Sequence, residues 1–196
     1  MSNAILIHGL ASKGEYYDPK YPTGSNSHWF PWLSKQLIIR DIHTVALEMP
    51  NGYLPEYEVW KKELERFDID QDTTLVGHSL GGGFLIRWLS EENVKVGKVV
   101  LVAPWLGAMV GDDRYSPEEF DMSFFDFEID RDVASKTKGI TVISSNDDGP
   151  GVQKTVTFIH EKFNGFKYVE LENKGHFTLK SLGSVEFLEL LEEIIS

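Results

Sequence analysis

The chain contains no cysteine in its 196 residues. That excludes disulfides, thiolate metal sites and a cysteine nucleophile, so any nucleophile has to be sought among other side chains. Basic residues are scarce as well: 19 Lys and Arg stand against 31 Asp and Glu, a formal net charge of −12. No stripe of Lys or Arg offsets this locally, and a surface of that sign repels phosphate backbones and anionic lipid, so neither nucleic acid nor membrane is an expected partner. Long hydrophobic runs are missing too. No segment approaches the ~18 apolar residues of a membrane span, and the opening MSNAILIHG has neither a basic segment nor a signal-length apolar region. The expected location is the cytoplasm. Internal repeats and low-complexity segments are also lacking.

What is present is a 41% hydrophobic chain with scattered charge, enough for one sizeable core and one domain spanning 1–196. Short β-rich apolar runs occur at 4–8, 43–49, 73–78, 98–104, 139–145 and 166–172. Most are continuous in apolar residues, as strands covered on both faces are. Between them lie amphipathic patterns at 28–40, 55–67, 80–92, 150–163 and 181–195; the first carries Trp29, Trp32, Leu33 and Leu37 at helical spacing. The alternation predicts an α/β fold: a mostly parallel sheet of about six strands, joined by right-handed crossovers, with helices on both faces.

Two connections are long for such a fold. Residues 11–27 form a Gly/Pro/Tyr-rich loop after the first strand, and 105–132 form an insertion after the fourth, read as a cap. Both leave the C-terminal ends of their strands, where open α/β sheets bind ligands.

Between the third strand and the next helix stands Gly77-His78-Ser79-Leu80-Gly81, which fits G-x-S-x-G. A serine on a sharp strand-to-helix turn needs flanking positions without side chains where backbones crowd, and the turn projects its Oγ outward. The Leu80 N–H would then sit at a helix N-terminus, suited to a developing oxyanion. The plainer alternative is that small residues only permit a tight turn. A nucleophilic serine requires a histidine base and usually a carboxylate, in the order Ser, Asp/Glu, His for this fold. His160 and His176 follow Ser79 and any plausible acid. His160 lies late in a helix running away from the strand ends, which at ~1.5 Å per residue carries it more than ~13 Å from the site. His176, in NKGHFTL directly after the last strand, is the expected base. Asp147 and Asp148 follow the fifth strand and compete as the acid, the alternative being turn and N-cap residues. Read as a calcium loop, the same stretch places Thr155 where a bidentate glutamate belongs, and calcium is not expected. GLASKG has P-loop spacing, but Glu15 stands where lysine belongs.

With these residues in place the chain resembles the α/β-hydrolase superfamily, and within it the small single-domain serine hydrolases of the YdeN-like and retinoblastoma-binding kind. The resemblance covers nearly the whole chain and rests on Ile7 to Gly9 (IHG), His28 to Leu33 (HWFPWL), Met49 to Asn51 (MPN), LVGHSLGG, VLVAPW, SNDD and Gly175 to Phe177 (GHF). It implies that Asp148 is the acid and that Leu10 supplies a second oxyanion N–H. The longer 11–27 loop and the Gly-Pro-Gly after the aspartates depart from the pattern.

The roles so assigned describe an esterase that acts on a short or medium acyl ester through an acyl-serine, with no metal or organic cofactor. Substrate contacts are expected from the insertion, chiefly Trp105, Phe124 and Phe125, alongside Met109, Phe120, Met122 and Phe127, with Asp112, Asp113, Glu118, Glu119 and Asp121 making its outside acidic. The alternative is that these aromatics pack a cap helix onto the domain. Amide and thioester cleavage stay open, as does a protein-binding module on a hydrolase scaffold, although the L-x-C-x-E motif of the retinoblastoma pocket cannot occur without cysteine. Haloalkane and epoxide hydrolases of this fold place Asp where Ser79 stands.

Overall fold

The computed structural model describes residues 2–112, 115 and 120–196. In chain order the elements are β1 (Asn3–Ile7), α1 (Lys13–Tyr17), α2 (Phe30–Ile38), β2 (His43–Leu47), α3 (Tyr57–Leu64), β3 (Thr73–His78), α4 (Leu80–Glu91), β4 (Lys98–Val102), β5 (Gly139–Ser145), α5 (Pro150–Lys162), β6 (Phe166–Leu171), α6 (Leu179–Leu182) and α7 (Leu188–Ile195). The six strands form one sheet in the order β2-β1-β3-β4-β5-β6, every pair parallel. Parallel neighbours need a crossover, and the helices that supply it cover the sheet on both faces. The central strands β1, β3 and β4 are therefore buried along most of their length, whereas β6 at one edge has no buried residue and exposes Lys167 and Glu170.

Two buried clusters flank the sheet. One gathers Ile5, Leu75 and Leu101 with Trp60 of α3 and Phe84 of α4. The other gathers Leu6, Val76 and Val100 with Phe30 and Leu33 of α2 and Leu190 and Ile194 of α7. The expected helical spacing in α2 serves this second core, with Trp29, Leu33 and Leu37 buried. Pro31 near its start fixes φ where no N–H is needed.

The structure corrects one helix and gives form to the two long connections. The single helix expected over 181–195 is two. Gly183, at φ 68, ends α6 in the left-handed region, and Phe187 then turns inward at full burial to stack on Phe177, with centroids 5.1 Å apart. The 105–132 insertion carries no α-helix among its described residues; it has 3-10 turns at Gly107–Val110 and Met122–Phe125. Conversely, the 11–27 loop holds the short helix α1 and a 3-10 turn at Gly24–Asn26. Among the described residues no helix is long and apolar enough to cross a membrane.

Candidate active site

Ser79 joins β3 to α4 in a conformation that side chains rarely adopt, φ 55 and ψ −118. Such a residue costs about 1–3 kcal/mol and is held only where its surroundings over-determine it. Here they do. The Ser79 N–H donates to the Val102 carbonyl at 2.9 Å, and the Ser79 carbonyl accepts from Gly82 at 3.0 Å, Gly83 at 3.2 Å and Trp105 at 3.0 Å. A Cβ on Gly77 would lie 2.5 Å from the Gly81 carbonyl oxygen, and one on Gly81 would lie 2.4 Å from that of Ile7. The two framing glycines are thus the condition for α4 to leave β3 so abruptly.

The turn leaves the Ser79 hydroxyl free of any capping bond to α4. It lies 2.9 Å from His176 Nε2. On the other side of the ring, His176 Nδ1 is 2.9 Å from Asp148 Oδ2 and 3.1 Å from Oδ1. With the proton on Nδ1, that N–H donates to the carboxylate and Nε2 accepts from the serine. The Asp148 side chain is 4% exposed and the His176 side chain 35%, so the carboxylate is shielded from water while the imidazole opens to the site. The structure thus brings Ser79, His176 and Asp148 together across three loops. His160, as expected, stands elsewhere: it is exposed late in α5, with its ring against Tyr168.

Asp147 performs different work from its neighbour. Its Oδ1 accepts from Ser145 Oγ at 2.5 Å and from the Gly175 N–H at 2.8 Å. These bonds hold its carboxyl below the usual carboxylate range. Together with the Lys174 N–H on Ser145 Oγ at 2.9 Å and the Asn173 N–H on Asn146 Oδ1 at 3.0 Å, they stitch the loop carrying His176 to the end of β5. Asp148 Oδ1 also accepts the Gly149 N–H at 2.6 Å, and α5 begins at once with Pro150.

Leu80 is the first residue of α4, so its N–H has no partner within the helix. Leu10 follows Gly9, where an added Cβ would lie 2.8 Å from Ser79 Cβ. The Leu10 segment therefore runs directly beside the serine. Its course is fixed by His8, whose Nδ1–H donates to the Gly9 carbonyl at 2.7 Å while Nε2 accepts from the Met49 N–H at 2.9 Å.

Three histidines were given no role by sequence reasoning, although each lies in a stretch that carried the resemblance. His8 orders the Leu10 segment. His78 donates from Nε2 to the His176 carbonyl at 2.9 Å. His28, at φ 55, accepts the Leu179 N–H on Nδ1 at 3.2 Å. Burial lowers the proton affinity of all three, that of His78 well below the ordinary histidine value, with His176 adding to the shift there. Trp29 completes the support, its indole N–H donating to the Phe177 carbonyl at 3.1 Å. The available signal was a ring flanking each motif: before Ser79, before Gly9 and at the head of HWFPWL.

The residues expected to contact substrate are placed differently. Trp105, Phe124 and Phe125 are 3%, 1% and 4% exposed. Phe124 meets Trp60 edge-on at 5.5 Å and Tyr57 at 5.9 Å, and Phe125 meets Trp105 at 5.6 Å. Their rings form a wall behind α4 and present no open face, which corrects the expectation of an acyl pocket lined by them. Nor does Asp112 belong to an acidic exterior: it is buried, and its Oδ2 accepts the Trp105 indole N–H at 2.7 Å. Asp113, Glu118 and Glu119 lie outside the described residues. Among the described residues, no group of three or more His, Asp or Glu is arranged to hold a metal ion.

Comparison with known proteins bears on the same features. The family model described as serine hydrolase matches residues 18–188. YdeN of Bacillus subtilis (strain 168) is 28% identical over 170 residues, which cover 85% of this chain and 86% of that protein. The crystal structure of the B. subtilis ydeN gene product superposes with a TM-score of 0.72 at 24% identity, covering 99% of this chain and 97% of that one. Est1E from Butyrivibrio proteoclasticus gives 0.62 at 14% identity, over 98% and 88%. The two structures speak for the fold, and the family model, matched across most of the chain, makes this protein a member of the serine hydrolase family and a hydrolase of the α/β type.

Proposed function

We propose that the protein is a carboxylesterase of the cytoplasm, acting through an acyl-serine intermediate with Ser79 as nucleophile, His176 as base and Asp148 as the acid that orients it. The observation that carries this reading is the hydrogen-bonded line from Ser79 Oγ through His176 to Asp148, with 2.9 Å at each step, built on a strained serine whose hydroxyl serves no structural bond. A serine kept only for a tight turn has no need of such a partner.

His176 Nε2 takes the hydroxyl proton as Oγ forms a bond to the acyl carbon. The carbonyl oxygen becomes an oxyanion that the Leu10 and Leu80 N–H groups face, while Asp148 stabilises the imidazolium. Collapse of the tetrahedral species breaks the acyl C–O bond, and His176 returns the proton to the departing alcohol. Water then attacks the acyl-serine with His176 again as base, releasing the acid and restoring Ser79. Besides the ester and one water, the steps call only on side chains and backbone of this chain. An amide would ask the same residues to protonate a poorer leaving group, so the ester is the preferred substrate.

Labelling with a fluorophosphonate tests the reading, because phosphonylation requires an activated serine. Stoichiometric modification, mapped by mass spectrometry to the peptide containing Ser79, is the expected result. An unlabelled protein would overturn it. A matched p-nitrophenyl ester and p-nitroanilide then separate esterase from amidase.

A further inference from the structure

The helix α1 buries none of its five residues. It is nonetheless well made: Ser12 Oγ accepts the Glu15 N–H at 3.2 Å and the Glu15 carboxylate accepts the Ser12 N–H at 3.2 Å, a complete capping box. What this ordered turn presents is Tyr16 and Tyr17, 41% and 62% exposed. Tyr53, from the turn after β2, meets both. Ring centroids lie 4.7 Å apart for Tyr16 and Tyr53, 5.3 Å for Tyr17 and Tyr53, and 5.1 Å for Tyr16 and Tyr17, and the hydroxyls of Tyr17 and Tyr53 are 3.0 Å apart.

The cluster stands at the C-terminal edge of the sheet beside the candidate site. The Ala11 N–H, next to Leu10, donates to the Gly52 carbonyl, next to Tyr53, at 2.8 Å. Glu15 is close enough to raise the proton affinity of His28 against the larger effect of burial, and the same ring feels His176. Trp105, Phe120, Phe124 and Phe125 of the 105–132 insertion are closed off in the core, whereas Tyr16 and Tyr17 are exposed and Tyr53 is half-buried, so an aromatic group reaching this side of the site meets open aromatic surface.

We propose that Tyr16, Tyr17 and Tyr53 form a subsite for an uncharged aromatic ring carried by the substrate ester. The inference rests on the esterase reading and names its substrate class. Aromatic rings at these separations offer faces and edges that favour another aromatic ring over a saturated one of equal size. Three rings are far too small for a stable protein interface, which buries roughly 800 Å² on each partner. Exposed Lys13, Glu15, Asp18 and Lys20 flank the cluster with opposite charges that balance, so the surface offers no net charge to pair with an ionised ring.

The test compares hydrolysis, followed by proton release, within two matched pairs: methyl 3-phenylpropanoate against methyl 3-cyclohexylpropanoate, and benzyl acetate against cyclohexylmethyl acetate. In at least one pair the wild-type protein should favour the aromatic ester by about three- to tenfold in kcat/KM. The variant with Tyr16→Ala, Tyr17→Ala and Tyr53→Ala should bring that ratio close to one, and the corresponding triple Phe variant should keep it. A wild-type ratio near one in both pairs, or a ratio unchanged in the Ala variant, overturns the subsite while wild-type fluorophosphonate labelling still supports the esterase. Absence of that labelling overturns both.

Discussion

His78 Nε2 donates to the backbone carbonyl of His176 at 2.9 Å, and their ring centroids are 5.0 Å apart. The residue immediately before the candidate nucleophile therefore holds the main chain of the candidate base. Because His78 is fully buried and neutral, it keeps one donor on Nε2. His78→Ala should lower kcat by roughly 10²-fold, the scale of a misplacement of about 1 Å. His78→Gln, which can place an amide N–H near the same carbonyl, should recover most of the loss. Steady-state kinetics on the two variants check this, and equal damage would mean that the donor does not position His176.

The adjacent aspartates should separate by function. Asp148→Asn leaves the imidazole without its acceptor and should reduce turnover by ~10⁴, whereas Asp147→Asn should cost less than ~10-fold. The second change weakens the stitch between β5 and the His176 loop, so its main effect should be faster amide exchange at Lys174 and Gly175. Kinetics paired with hydrogen exchange distinguish the two roles.

Stability should depend on pH through His8, His28 and His78, each held neutral by burial. Above the unfolded-state value of ~6.5 neither folded nor unfolded chain binds these protons, and the three contribute no slope. Below it the unfolded chain takes up protons that the folded chain refuses, so stability falls as pH falls toward the lower folded-state values. The limiting slope is about 1.4 kcal/mol per pH unit for each of the buried His8 and His78, and smaller for the half-buried His28, whose charged form water screens. Glu48, 3.6 Å from His8 Nε2, moderates the share of His8. Urea unfolding between pH 5 and 8 should show this decline, shallower in His78→Gln.

Phe124 belongs to the core, and Phe124→Ala should cost ~3–5 kcal/mol of unfolding free energy. Its effect on ester hydrolysis should be the same for short and long acyl chains. Urea unfolding and a series of acyl p-nitrophenyl esters measure the two quantities; a loss that grows with chain length would return Phe124 to an acyl pocket.

The sheet was legible because its central strands are apolar on both faces and so stand out as continuous runs. The glycines around Ser79 were legible for a comparable reason, since close backbone approach at Gly77 and Gly81 tolerates almost no other residue. The break in the last helix was not, because LKSLGSVEFLELL keeps helical spacing across Gly183 and only the seat of Phe187 on Phe177 decides it. The insertion misled for a related reason. Composition marks Trp105, Phe124 and Phe125 as apolar, but whether such rings line a cavity or fill one depends on partners such as Trp60 and Tyr57, far away in sequence. Asp147 and Asp148 could not be told apart by residue type either, and it was the resemblance that chose Asp148, the carboxylate that lies against His176 Nδ1. The buried histidines escaped notice because their task is to hold backbone, which leaves no spacing in the sequence.

The central claim is that Ser79 is an activated nucleophile, and the most direct measurement is ester turnover by Ser79→Ala beside the wild-type protein under identical conditions. If Ser79, His176 and Asp148 act as a unit, the substitution should lower kcat by roughly 10⁴- to 10⁶-fold and abolish fluorophosphonate labelling, with the folded structure retained by circular dichroism. Turnover within tenfold of wild type by the folded variant would contradict the account.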